Sequence, residues 1–220
     1  MIVPVAALLL LFLLFVLFGI FIFVLEIRAL RYAYRAIGIS PRYVTAVLLF
    51  TLLGSYVNIP LTTVHGSIVA INVGGALIPV LVSLYLYERT RRRGRMLLAI
   101  AIVAFVVHQL AVVVPGVGIA VPMLIPPLTA TSVALLLAFS EAPSVAYVAG
   151  SLGALIGADL LNLPRITAIG APVVAIGGAG TFDGVFLTGI LAGLLAAWIA
   201  PTRRELAIDA AAARSGGRAA

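Results

Sequence analysis

The sequence predicts an all-α, polytopic transmembrane helix bundle of about seven helices, and three observations predict it. Hydrophobic residues make up 64% of the 220-residue chain and charged residues only 10%, against about half apolar and about a quarter charged in soluble domains. The apolar residues fall into seven long runs joined by short connections, and a bilayer core needs roughly 20 apolar residues per helix. Arginines cluster in alternate connections, the pattern expected of short cytoplasmic loops.

The first run, about residues 2–25, is too long for a signal-peptide core of about 7–15 residues and predicts a first membrane helix. Arg28, Arg31 and Arg35 follow at helical spacing with Tyr32 and Tyr34 between them, as in an amphipathic stretch lying on headgroups. Further spans are predicted over 43–58, 67–87, 96–114, 119–139, 143–161 and 182–200. With the N-terminus outside, the loop at 28–42, "ERTRRRGR" at 88–95 and "PTRRE" at 201–205 all face the cytoplasm. The external connections, around 59–66, 115–118 and 162–181, contain one arginine, Arg165. Residues 1–200 thus read as one transmembrane domain of the cytoplasmic membrane, and 201–220 as a frayed cytoplasmic tail.

All 14 basic residues are arginines, and the formal charge of +7 lies in clusters at membrane edges rather than over a general basic surface. The expected partner is therefore the lipid bilayer, and not nucleic acid. The absence of cysteine excludes disulfides, thiolate metal sites and cysteine nucleophiles. Two histidines, His65 in a loop and His108 in an apolar run, are too few for a zinc site, and no serine has an acid and a histidine at common depth.

An internal echo suggests how the spans are organised. "SYVNIP" at 55–60 matches "DLLNLP" at 159–164, and "VAINVGGALIPVLVSL" at 69–84 resembles "VAIGGAGTFDGVFLTG" at 174–189. The offset is 104 residues at Asn58/Asn162 and 105 at Ala70/Ala175. The expectation is a parallel duplication, with helices 2 and 3 (43–88) repeated as helices 6 and 7 (143–200). Ser55 then stands where Asp159 stands.

Asp159 and Asp183 are the acids that call for an explanation. Counted at 1.5 Å per residue, Asp159 lies near the outer end of helix 6 and Asp183 begins the returning helix 7. Gly177, Gly178, Gly180 and Gly184 permit the backbone between them to fold back as a re-entrant segment. If the two carboxylates meet in a low dielectric they must share a proton, bind a cation or take an arginine partner. A cation would draw on hard oxygen donors, and Asp159, Asn162, Asp183, Thr181, Asn58 and Asn72 supply those expected for Na⁺, Ca²⁺ or Mg²⁺. No other cofactor is expected. The alternative is structural, with Asp183 as a helix N-cap and Asp159 paired with Arg165 or lying in interfacial water.

The remaining polar and small residues have packing readings. Asn58-Ile59-Pro60 and Asn162-Leu163-Pro164 end helices; Asn72, and His108 with Gln109, make interhelical hydrogen bonds. Gly150, Gly153 and Gly157, with Gly189 and Gly193, form small-residue ridges that bring helices 6 and 7 together. Pro122, Pro126 and Pro127 kink helix 5 or delay its start.

Taken together, "GSYVNIP", "VAINVGGALIPVLVSLYL", "GADLLNL" and "GGAGTFDGVFLTGI" resemble, over about residues 45–200, an uncharacterised archaeal and bacterial membrane-protein family, the domain-of-unknown-function 1614 group. The resemblance implies a multi-pass membrane protein and brings no activity with it. A narrower resemblance is to the intramembrane aspartyl proteases. Asp159 is similar to their first aspartate and "GAGTFDG" to a stretched Gly-x-Gly-Asp motif, but Thr181 and Phe182 intervene and no Pro-Ala-Leu follows Asp183. That resemblance implies a catalytic pair, Asp159 and Asp183, one carboxylate deprotonating water while the other carboxyl protonates the peptide carbonyl. The leading expectation is a cation- or small-solute-binding transport-type module centred on these acids. The protease and a structural or partner-binding scaffold stand as alternatives.

Overall fold

The computed structural model describes residues 5–64, 66–114, 118–168, 172–178 and 184–200. The expected tail at 201–220 lies outside the described residues.

Helices α1 (Val5–Ala36) and α2 (Pro41–Gly54) come first, the second starting on a proline whose missing N–H is no loss there. The chain then leaves the expected all-α pattern. Residues 67–72, predicted as the start of a helix, form a strand, β2 (Ser67–Asn72), antiparallel to β1 (Asn58–Val64). "SIVAIN" is short, apolar and rich in β-branched residues, so it suits a strand or a buried helix equally until neighbours decide. Here β2 has a partner on each side, because β5 (Val173–Ile176) adds parallel to it.

A π-helical turn over Val73–Leu77 leads into α3 (Ile78–Arg89), which is 12 residues long, where a span over 67–87 was expected. Helix α4 (Arg93–Leu110) is followed by a small antiparallel pair, β3 (Val112–Val114) and β4 (Gly118–Ala120), so the span predicted to reach 114 ends at Leu110. Helix α5 begins at Ile125, two prolines in its first turn delaying it past the expected 119. Helices α5 (Ile125–Ala138) and α6 (Ala142–Ala154) are joined by a 3₁₀ turn, and α7 (Gly184–Ile199) closes the order.

Among the described residues three helical stretches are long and apolar enough to cross a membrane: Phe12–Ala36, Arg93–Leu110 and Ile125–Arg165. The last, 41 residues long, contains the break at Ala138 (φ −148°, ψ 50°), beyond which α6 packs back on α5. α2 and α7 are shorter apolar helices.

The core lies among α4, α5, α6 and α7, where α6 has its largest interface with α7. Ala99, Ala130, Ala134, Ala142, Ala146, Ala149, Ala192 and Ala196 are fully buried there. Small side chains let helices approach closely where lipid removes the hydrophobic drive between them. The glycine ridge divides its work instead of serving one neighbour. Gly150 faces the Thr188 carbonyl of α7, 3.0 Å from where a Cβ would stand, whereas Gly153 and Gly157 press on Val103 and Ala104 of α4. Gly189 abuts Ser151 of α6, and Gly193 abuts Ile37 at the end of α1. By contrast Phe12, Phe15 and Phe18 of α1 are 67%, 74% and 62% exposed, an apolar surface suited to lipid rather than water.

The turns α1–α2, α3–α4 and α5–α6 gather at one end of the bundle. Ser144 Oγ donates to the Ile37 carbonyl at 2.6 Å, Arg95 Nη1 donates to the Leu137 carbonyl at 2.8 Å, and Thr90 Oγ1 donates to Glu141 Oε2. The three-stranded sheet caps the opposite end.

Candidate functional site

Two junctions between a helix and the sheet meet at the sheet end. At the first, Asn72 is fully buried, and its amide makes three bonds. Oδ1 accepts from Gly75 N–H (2.7 Å), while Nδ2 donates to the Ser55 carbonyl (2.8 Å) and to Asn58 Oδ1 (3.0 Å). It ties the end of α2, the start of β1 and the π turn together. A buried amide left without these partners would cost about 1–3 kcal/mol.

The second junction begins where α6 ends. Its last turn widens into a π turn over Leu155–Asp159, a distortion often found at functional sites, and then tightens into a 3₁₀ segment, Leu160–Ala168, that contains Pro164. Asn162, also fully buried, folds back and donates through Nδ2 to the carbonyls of Gly157 and Ala158, each at 2.9 Å. Its Nδ2 lies 3.3 Å from His108 Nδ1 on α4, and its Oδ1 accepts from Arg165 Nη1 at 3.1 Å. Asn162 therefore satisfies carbonyls that the change of helix type leaves over. His108 is tied across helices, as its place in an apolar run predicts.

Asp159, the last residue of the π turn, accepts the Gly177 N–H through Oδ2 at 2.7 Å. β5 ends at Ile176, one residue before that glycine. Gly177 (φ +85°) and Gly178 (φ +69°) are consecutive left-handed residues, a conformation in which a Cβ is strained. A Cβ at Gly177 would also stand 2.6 Å from Ala76 N, and one at Gly75 would collide with the Gly177 carbonyl. The two junctions thus touch through glycine backbone, in the order Asp159, Gly177, Gly75, Asn72, Asn58.

Asp159 also lines a cavity of about 330 Å³ between β4, α5, α6 and α7. Pro122, Pro126 and Val185 supply apolar wall, with Thr188 and Gly184 of α7 opposite. Among the described residues the salt bridge present is Arg93 to Glu88, so Arg165, bonded to Asn162, is not an ion-pair partner of Asp159. No group of three histidine or acidic side chains converges among the described residues. Among the described residues a cation here would draw on the Asp159 carboxylate together with hydroxyl and carbonyl oxygens.

Of the residues expected at the site, the structure brings Asp159, Gly177 and Gly184 to this region and sets Asn58 and Asn72 in the adjoining junction. Thr181, Asp183 and Gly180 lie outside the described residues, as does His65. Gly184, which follows Asp183 in the chain, lines the cavity together with Asp159. Sequence reasoning passed over Thr188, whose signal was a lone hydroxyl four residues into α7 on the glycine-bearing face. It also passed over Glu141, a buried acid at the other end, which accepts from Thr90 Oγ1 and from Arg91 N–H (3.2 Å).

The fold and site define a mostly helical protein with helices long and apolar enough to cross a membrane, and with a carboxylate-lined cavity next to a small sheet. The chain belongs to the family described as protein of unknown function (DUF1614), whose model matches residues 41–195. The match opens on the first residue of α2 and includes both junctions, leaving α1 outside it. No curated protein and no solved structure matches the chain.

Proposed function

We propose that this is a multi-pass protein of the cytoplasmic membrane that binds a cation or small cationic solute in the cavity lined by Asp159, with the arginine-rich end in the cytoplasm. The observation that carries the reading is an acid at the end of an apolar helix, one carboxylate oxygen held by the Gly177 N–H and the side chain lining a cavity of about 330 Å³. An ionisable group at such a place is expensive, and function is the default reason for keeping it. In this reading Asp183 joins Asp159 as the second acid of the pair expected from the sequence.

An ancestral duplication gives the site its place. β2 and β5 pair in parallel with Val69 beside Val174, Ala70 beside Ala175 and Ile71 beside Ile176, the 105-residue offset of the sequence echo. Positions 55 and 72 bond to each other at the first junction, and their counterparts 159 and 177 bond at the second. In this reading the ligand site belongs to the second copy, whose α6 and α7 line the cavity with β4 and the start of α5, and the first copy abuts it through Gly75 against Gly177.

The test is thermal stability of purified protein titrated with Na⁺, Mg²⁺ and Ca²⁺ separately. The reading expects one of them to raise the unfolding midpoint of wild type, and expects that rise to vanish in Asp159→Asn and in Asp183→Asn. A second reading, an aspartyl protease dyad, uses the same cavity and pair. Cleavage of a membrane-embedded peptide, lost in either variant with the fold retained, would favour it over cation binding.

A further inference from the structure

Apart from that cavity, helices α2 and α3 leave an open groove of about 370 Å³ along their length. Tyr43, Ala46, Val47 and Phe50 line it from α2, and Ile78, Leu81, Val82 and Tyr85 from α3. Each set follows the i, i+3, i+4, i+7 spacing of one helix face. Two apolar stripes facing each other would be expected to close on one another. Instead Phe50 remains 60% exposed and Leu81 52% exposed.

The end of the groove nearest the arginine-rich turns is chemically different. The rings of Tyr43 and Tyr85 meet edge to face, with centroids 6.3 Å apart. The Arg42 guanidinium carbon lies 4.7 Å from the Tyr43 centroid and that of Arg89 lies 4.5 Å from the Tyr85 centroid. Two cations thus flank a tyrosine pair, and neither is in a salt bridge among the described residues. The Tyr85 hydroxyl is buried and has no hydrogen-bond partner among the described residues, which is costly unless a ligand supplies one. Arg42 also lies in the first turn of α2, where the helix dipole favours an anion.

We propose that this groove binds one anionic phospholipid, with an acyl chain along the α2–α3 stripes and the phosphate between Arg42 and Arg89, where it accepts a hydrogen bond from the Tyr85 hydroxyl. The occupant follows from charge complementarity over an apolar channel. A zwitterionic lipid fits the channel but brings no net charge to the two arginines, and a free phosphate fits the arginines but leaves the channel empty.

The experiment uses the full chain, delipidated in mild detergent and titrated with phosphatidylglycerol, phosphatidylcholine or inorganic phosphate, bound lipid being counted by native mass spectrometry and stability followed by thermal unfolding. Phosphatidylglycerol should bind one per chain and raise the midpoint, and the other two probes should not. Arg42→Gln and Arg89→Gln should each weaken phosphatidylglycerol binding by about fivefold, the scale of one basic side chain near an anionic headgroup. Ala46→Phe, which fills the channel without touching a charge, should abolish binding. Arg93→Gln, which removes an arginine paired with Glu88 at 2.9 Å outside the groove, should leave it unchanged. Equal binding of phosphatidylcholine, equal stabilisation by phosphate, an equal loss in Arg93→Gln, or wild-type binding by Ala46→Phe shown to be folded would each overturn the proposal.

Discussion

At the end of α2 a buried amide, Asn72, binds Gly75 N–H, the Ser55 carbonyl and Asn58 in one closed network. At the end of α6 the corresponding stretch of chain carries a carboxylate, Asp159, which takes one backbone N–H and lines a cavity. The same local problem, closing the gap between a helix end and a strand, is solved once with a neutral side chain and once with an acid. A neutral amide suffices for closure, so closure alone does not explain the acid. Beside the acid lies the cavity, and a charge kept near apolar surroundings needs either water or a counter-ion.

The most severe way to break this contrast is to give the first junction the acid of the second. Ser55 is only 7% exposed and its hydroxyl donates to the Leu52 carbonyl, so Ser55→Asp buries a charge without a partner. It should destabilise by several kcal/mol, seen as loss of folded protein on size-exclusion chromatography. Gly177→Ala comes next. Its left-handed backbone and contact with Ala76 predict a loss of about 3 kcal/mol, measured as a lowered thermal midpoint in detergent. Asn72→Ala orphans two buried backbone groups, the Ser55 carbonyl and the Gly75 N–H, and should cost about 2 kcal/mol by the same measurement. Asp159→Asn should be the mildest, under about 1 kcal/mol, since the amide oxygen still accepts from Gly177 N–H. A cost for Asp159→Asn as large as that for Asn72→Ala would make both junctions structural and remove the contrast.

Much of this was legible in the sequence, and the failures have physical causes. Helices stand where the apolar runs are longest, because length and hydropathy decide them locally. The sheet was not legible. "NIPLTTV" and "SIVAIN" become strands only because they find each other and then β5, 105 residues away, and no local signal reports a distant partner. The ridge Gly150, Gly153 and Gly157 was readable as small, but not as split between two neighbours, since which helix lies against each face depends on the packing of all four. Asp159 was conspicuous as an acid in an apolar context. That its oxygen takes Gly177 N–H could not be foreseen without the strand that delivers that glycine. Asn72 and Asn162 carry the same letters whether an amide in an apolar run serves a ligand or a helix end, and the bonds by which they close the two junctions exist only in the fold.

The claim on which the functional reading rests is that the two acids share one cavity. The chain has no cysteine, so a double variant, Asp159→Cys with Asp183→Cys, reports on this pair alone. Disulfide formation under mild oxidation in native membranes requires Cα atoms within about 7 Å. The account predicts efficient bridging, read as an intramolecular mobility shift reversed by reductant. Absence of bridging in variant protein shown to be folded would separate the two acids and contradict it.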